Sequence, residues 1–360
     1  PASDIMEGLA QALPECGGAY LQAEDEIASI MACIGASFAG KKAMTATAGP
    51  GLALMSEGIG YASMAEIPVV VVDAQRGGPS TGLPTKMEQS DLNIAVYGGH
   101  GDSPRIVLAP ASVAECFHLT VWGFNLAEQY QSPVIILSDY SLSFRTETVE
   151  PFDLSKYPVV NRLTPQGELQ PKEYKRYYTN GSFVSPMALP GTPHGQYTAT
   201  GLEHNEYGAP AYTPEAHTRM SEKRWRKYED LRHSREYVRR FGAERAKVGL
   251  LCWGTTAGPC RGAVFLAEQE QLPVAMLQVQ MLSPLPVDAI QEFIDSVEIV
   301  LVPEVNYQGQ FARMVQGELG VRVHSFTQYT GMPFTRMAIL NKVKELMGLG
   351  APALVQGETR

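Results

Sequence analysis

Between Pro68 and Asp91 the chain reads PVVVVDAQRGGPSTGLPTKMEQSD, and this stretch narrows the possible folds more than any other. Four valines after a proline are β-branched, apolar and too few for a helix, so they predict a buried strand ending at Asp73. Gly77, Gly78, Pro79, Ser80, Thr81, Gly82 and Pro84 then predict a loop of tight turns. In a parallel α/β sheet, ligands sit outside the carboxyl ends of the strands. Arg76 stands at that edge, and Thr81, Thr85 and Lys86 follow within reach. A guanidinium there can fork onto a carboxylate or phosphate. A solvated loop with an incidental arginine is the alternative, and the sequence upstream bears on the choice.

Upstream, Ser3 to Ala12 predicts a helix capped by Ser3 and ended by Pro14, with Ile5, Met6 and Leu9 as its apolar stripe. Ala19–Gln22 predicts a short strand. The acidic cluster Glu24-Asp25-Glu26 follows, at the start of a helix whose apolar face is Ile27, Ile30, Met31 and Ile34. Ala28, Ala32, Gly35, Ala36 and Ala39 on that helix permit very close packing. By itself the acidic cluster reads as charge complementing the helix dipole. Lys42–Ala48 predicts a strand, Gly49-Pro50-Gly51 a sharp turn and Leu52–Met64 a helix. Downstream, Arg105–Ala109 and Pro133–Ser138 predict strands flanking a helix over Ser112–Tyr130, which Ser112 and Glu115 cap as a box. This alternation is the signature of a doubly wound parallel α/β sheet.

Pro151 to Arg240 is rich in Pro, Tyr, Gly, Thr and charge, too long for a plain loop inside one domain. It predicts an extended linker over 151–245 that wraps neighbouring subunits, with a solvated charged helix near its end. From Lys247 a second α/β unit begins. Strands are expected at Lys247–Gly254, Val274–Val279, Ile299–Pro303 and Val321–Ser325, and helices at Pro259–Gln269 and Gln308–Glu318. Leu282–Val287 predicts a turn. Gly254-Thr255-Thr256-Ala257-Gly258 lacks the lysine and spacing of a phosphate-binding loop and reads as a strand–helix turn. The expected domains are therefore 1–150, the 151–245 linker and 246–360.

Composition removes several classes. A net charge of −9 opposes nucleic-acid binding. Cys16, Cys33, Cys116, Cys252 and Cys260 form no CxxC pair, so the usual zinc and iron–sulfur spacings are missing. Their dispersal suggests reduced thiols in a cytoplasmic protein. No apolar run approaches the roughly 18 residues of a membrane span, and no signal peptide is visible.

EDEIASIMACIGASFAG, TATAGPGLALMSEGIGYASMAEIP and VVVDAQRGGPSTGLPTKMEQSDL together resemble the α subunit of thiamine-diphosphate-dependent 2-oxoacid:ferredoxin oxidoreductases, of the 2-oxoglutarate type. PVIILSDY, TGLEHNEYG and the run from His217 to Lys223 and Arg224 agree. The resemblance spans essentially the whole chain. GPSTGLPT is its most specific piece, whereas GPG is shared among thiamine enzymes. It implies a pyrimidine-type thiamine-diphosphate-binding domain followed by a transketolase C-terminal-like α/β domain.

The resemblance also implies roles. A helix-edge glutamate meets N1′ of the aminopyrimidine and promotes loss of the thiazolium proton, a task that burial assists. Glu26 has the family's spacing of nine to Gly35, while Glu24 fits a Gln-x-Glu pattern also seen there. Gly49 and Gly51 would lie at the cofactor. Arg76 would grip the substrate's 1-carboxylate, with Thr85 assisting. The Gly-Asp-Gly…Asn motif for Mg²⁺ and diphosphate has only Gly101-Asp102-Ser103 as a near match. Mg²⁺ and a [4Fe–4S] cluster are therefore expected on a β subunit, with ferredoxin and coenzyme A as co-reactants. The implied reaction is reversible oxidative decarboxylation of 2-oxoglutarate to succinyl-CoA. Rivals are pyruvate or branched-chain 2-oxoacids as substrates, another thiamine-dependent carbon–carbon transferase, and a non-catalytic scaffold subunit. Pro1-Ala2-Ser3 matches only the end of the family's first turn, so a preceding strand is expected, with a γ-type domain fused upstream a further expectation.

Overall fold

The computed structural model describes residues 2–179 and 181–349. Pro1 and the 350–360 end of the expected last domain lie outside them. Ten strands run β1 (Met44–Thr47), β2 (Val69–Gln75), β3 (Ile106–Leu108), β4 (Pro133–Asp139), β5 (Val238–Gly242), β6 (Ala246–Trp253), β7 (Val274–Val279), β8 (Met281–Ser283), β9 (Val297–Glu304) and β10 (His324–Thr327). They form two sheets, ordered β1-β2-β4-β3-β8 and β10-β9-β6-β7-β5. Every residue of β2 and β4 is buried, as the valine and isoleucine runs require. β2 continues two residues past Asp73, so this acid lies inside the strand.

The parallel pairs follow from helical crossovers. α3 (Gly49–Met64) joins β1 to β2, and α5 (Val113–Tyr130) joins β3 to β4. Ser112 Oγ caps α5 by accepting the Glu115 N–H at 3.2 Å, and Glu115 reaches back to the Ala111 N–H at 2.8 Å. α1 (Ser3–Glu15) runs past Pro14, and its cap position is Ala2 rather than Ser3. Ala19–Gln22 is irregular, not a strand. α2 (Glu26–Phe38) buries Ile30 and Ile34 but leaves Ile27 55% and Met31 45% exposed, so half of its expected apolar face is open. Its Ala28, Ala32, Gly35 and Ala36 are exposed too. The close approach to α3 is instead made by α3's Gly58, where a Cβ would lie 2.7 Å from Ile30 Cγ2.

The second unit contains three elements that local pattern did not predict, β8, α10 (Val287–Asp295) and α12 (Arg336–Leu346). Met281–Ser283, expected as part of a turn region, is β8, which pairs antiparallel with β3 and extends the first sheet. α10 follows it and covers the second sheet through Ile290 and Phe293. The remaining helices are α4 (Leu92–Tyr97), α6 (Tyr140–Ser143), α7 (Pro214–Arg226), α8 (Glu229–Arg232), α9 (Ala257–Gln269) and α11 (Gln310–Leu319).

The 151–245 segment is largely irregular as far as α7, but it is anchored on its own chain. Arg162 donates to Glu128 at 2.7 and 2.9 Å and to the Ser37 carbonyl at 2.6 Å, strapping α5 to α2. The charged stretch expected to be solvated is turned inward. Lys223 and Lys227 are buried and donate to Glu66 at 2.6 and 3.3 Å, and Arg176 donates to the Glu66 carbonyl at 2.8 Å. Burial alone would raise the pKa of Glu66, but these cations outweigh it and hold it well below the usual range. Val238–Gly242, also within that segment, is β5 of the second sheet.

Candidate active site

The carboxyl ends of β1 and β2 lie side by side, with Thr47 in register with Asp73. α3 starts two residues after β1, with Pro50 in its first turn, where the missing N–H has no helical partner to lose. Gly51 comes next, and no other residue fits. A Cβ there would sit 2.0 Å from Thr47 Oγ1, 2.7 Å from Glu26 Cγ and 2.9 Å from Glu26 Oε1. Gly49-Pro50-Gly51, expected as a sharp turn before the helix, is thus the first turn of α3, and it brings the Glu26 side chain, Thr47 and the α3 backbone together.

The three acids before α2 separate cleanly in this setting. Asp25 is the N-cap, accepting the Ala28 N–H at 2.8 Å, so its role is structural. Glu24 is exposed. Glu26 is half-buried against Gly51, with one side open. Its carboxyl has the donor and acceptor capacity to share a proton with a ring nitrogen brought to the end of β1, which fits the pyrimidine end of thiamine diphosphate.

Arg76 follows β2 directly and is half-buried. The loop beyond it closes on itself: the Leu83 N–H donates to the Gly77 carbonyl at 2.8 Å, and the Gly77 N–H to Lys86 at 2.9 Å. Gly82, at φ +46°, allows the closure, because a Cβ there would lie 2.2 Å from the Gly77 oxygen. Thr81, Thr85 and Lys86 are exposed on this loop. Glu26 with Gly49 and Gly51 thus occupies one strand end and Arg76 the next. Thr85 shares Arg76's loop, while Glu24 stays apart from the Glu26–Gly51 contact.

The second unit holds the loop's far side. Gln89 is buried; its Nε2 donates to the Trp253 carbonyl at 3.0 Å, and its Oε1 accepts from Thr256 at 2.5 Å and from Val305 N–H at 3.1 Å. Asn306 donates to the Gln89 carbonyl at 3.0 Å, and Gln310 to that of Ser90 at 2.8 Å. Thr255 and Thr256 of the expected strand–helix turn therefore serve contacts between the two units, with Thr255 bonding Asp139.

Two buried acids complete the surroundings. Asp73 and Gln75 share one face of β2 by the two-residue period of a strand. Gln75 Oε1 accepts the Asp91 N–H at 3.0 Å, placing Asp91 on that face. A Cβ on Gly49 would lie 2.6 Å from Asp91 Oδ2. Burial, reinforced by Asp91, pushes the Asp73 carboxyl well above the usual range. Burial and then Glu88 push Asp91 up to about 6, while Arg76 pulls the other way. Thr47, Asp73, Gln89 and Asp91 were missed as site residues in the sequence. Asp73 and Asp91 bracket the Gly/Pro loop, and an acid within a valine strand was the available signal.

Comparison with known proteins places this site in a family. Residues 1–223 match the family model described as pyruvate flavodoxin/ferredoxin oxidoreductase, thiamine diphosphate-binding, and residues 246–336 match pyruvate:ferredoxin oxidoreductase core domain II. The chain is 36% identical over 329 residues to 2-oxoglutarate synthase subunit KorA of Archaeoglobus fulgidus, covering 91% of this chain and 86% of that one. It is 38% identical over 355 residues to the 2-oxoacid:ferredoxin oxidoreductase α subunit of Saccharolobus solfataricus, covering 94% of this chain but 53% of the relative. The solved 2-oxoglutarate:ferredoxin oxidoreductase from Magnetococcus marinus, with 2-oxoglutarate, coenzyme A and succinyl-CoA bound, is similar at TM-score 0.93 and 48% identity. That match covers 96% of this chain and 60% of that one. A split-gene transketolase shares the fold at TM-score 0.51 and 13% identity. The chain thus spans about half to six-tenths of some relatives and most of others. It belongs to the 2-oxoacid:ferredoxin oxidoreductase family, as an α-type subunit with a thiamine diphosphate-binding domain.

Proposed function

We propose that the chain supplies the pyrimidine side of a thiamine diphosphate site in an enzyme that converts 2-oxoglutarate, coenzyme A and oxidised ferredoxin into succinyl-CoA, CO₂ and reduced ferredoxin. The observation that carries this reading is the convergence of Glu26, Thr47 and Gly51 at one strand end, with Arg76 at the adjacent end. When bound, thiamine diphosphate supplies a carbon nucleophile and an electron sink for 2-oxoacid decarboxylation. Glu26 shares a proton with N1′ of the pyrimidine, the role its half-buried carboxyl suits. Gly51 keeps that carboxyl against the turn. Arg76 donates a forked pair of N–H bonds to the substrate's 1-carboxylate, and Thr85 adds a hydroxyl from the same loop. The choice of 2-oxoglutarate rests on the similar synthase and on the similar structure that holds it.

A β-type subunit carries Mg²⁺ and the [4Fe–4S] cluster in this reading. The open face of α2, with Ile27 and Met31 beside Glu26, supports a second chain closing the site. A γ-type domain, fused or separate, belongs to the same assembly. Five unpaired cysteines fit a reducing, cytoplasmic setting. Among the described residues, no helix is long and apolar enough to cross a membrane. The test is a panel of 2-oxoacids on the purified complex, with viologen reduction as readout. Coenzyme A-dependent reduction fastest with 2-oxoglutarate is expected. Preference for pyruvate or a branched-chain acid would overturn the substrate, and failure with every 2-oxoacid would overturn the reaction.

A further inference from the structure

Asp73 is fully buried, and among the described residues neither of its carboxyl oxygens has a hydrogen-bond partner. Asp91 Oδ2 and Arg76 Nε are likewise buried and unpartnered. All three groups lie at one strand end. Asp73 and Gln75 share a face of β2, Gln75 holds the Asp91 backbone, and a Cβ on Gly49 would lie 2.6 Å from Asp91 Oδ2. Leaving an isolated carboxylate in such a place is costly, and two adjacent ones more so. One proton removes both problems, since a protonated carboxyl becomes a donor and its neighbour is an acceptor.

We propose that Asp73 and Asp91 form a proton-sharing carboxyl pair, with Asp73 protonated and Asp91 charged, whose charge orients the neighbouring Arg76. The inference rests on the reading of Arg76 as the group that binds the substrate carboxylate. Asp91 makes no direct ion pair with Arg76 among the described residues, so it acts on the guanidinium through its charge and leaves the nitrogens free to fork outward. Asp73 is the donor that holds Asp91 in place. The titratable and charged groups around the pair are Arg76 just after β2, Glu88 on the following loop, Glu26 across Gly51 and Asp139 on β4. Arg76 favours the charged form of Asp91 and Glu88 opposes it. As pH falls through about 6, Asp91 takes up a proton and Arg76 loses that neighbouring charge.

The test uses the assembled complex with three variants. The wild type should show an acid limb in kcat/KM near pH 6. Asp91→Asn should remove that limb and raise KM for the 2-oxoacid about 10-fold or more, with a smaller change in kcat, as expected for a misplaced binding group. Glu88→Gln should move the limb to lower pH, because it removes the charge that opposes ionisation of Asp91. Difference infrared spectra supply an arm that needs no turnover. The wild type should show an exchange-sensitive carbonyl stretch of a protonated carboxyl, which Asp73→Asn abolishes. An Asp91→Asn enzyme with wild-type KM and pH profile, or an Asp73→Asn spectrum unchanged in that band, would overturn the pair. Absence of turnover in the wild type would instead overturn the functional reading, while the infrared arm still decides the protonation of Asp73.

Discussion

Gly51→Ala is the sharpest perturbation this site allows, because its two consequences have opposite signs. Alanine replacing glycine inside a helix ordinarily stabilises by about 0.5–1 kcal/mol. At Gly51 the new methyl would lie 2.0 Å from Thr47 Oγ1, far inside the 3.4 Å of ordinary contact. Overpacking of that kind costs about 1–3 kcal/mol, so the net result is a loss of up to ~2.5 kcal/mol. Glu26 must also move, since its Cγ would be 2.7 Å away and it is the more flexible neighbour. Misplacing a catalytic group by about 1 Å costs on the order of 100-fold in rate. Thermal unfolding of the chain and viologen-linked turnover of the complex read the two effects separately. Gly60→Ala on the same helix, with open space at its Cβ, is the control and should stabilise without loss of rate. The double variant Thr47→Ala/Gly51→Ala should regain about 1 kcal/mol but not the activity, because the contact with Glu26 remains. A Gly51→Ala enzyme with wild-type turnover would refute the placement of Glu26 as the proton-sharing group.

Glu26→Gln should keep the melting temperature and lower turnover by about 100-fold or more, in the range of general acid–base effects, and Glu24→Gln should be nearly silent; the reverse pattern in turnover assays would transfer the role to Glu24. Arg76→Lys should raise KM alike for every 2-oxoacid accepted, since an ammonium cannot make the bidentate fork; a penalty confined to 2-oxoglutarate would assign Arg76 to the distal carboxylate. Glu66→Gln should destabilise by about 3–5 kcal/mol in denaturant melts, because Lys223 and Lys227 are left buried without their counter-charge. The folded pKa of Glu66 lies below its ordinary 4.5, so its stabilisation is full above that pH and is lost on acidification. The variant's stability should therefore fall less steeply in acid than the wild type's.

Much of the first sheet was legible in the sequence because its signals are local. The valine run of β2, the isoleucine-rich β4 and the Ser112 cap of α5 each follow from residues within a few positions of one another. The Gly/Pro loop and Arg76 at the end of β2 were legible for the same reason. What local pattern cannot carry is the identity of a partner far along the chain. Lys223 and Lys227 looked like a solvated charged helix, and only the fold brings Glu66 to them. Met281–Ser283 is three residues long and becomes a strand because β3 offers it an edge. The small residues of α2 permit close packing, and within this chain the close approach is made at Gly58 of α3 while Gly35 faces open space. Sequence patterns left both Glu24 and Glu26 as candidates for one role. Tertiary structure distinguishes them, because a turn from β1 into α3 sets a residue without a side chain against one acid, while its neighbours cap the helix or meet solvent. Burial is a property of the assembled chain, so the upward pKa shifts of Asp73 and Asp91 were decided there as well.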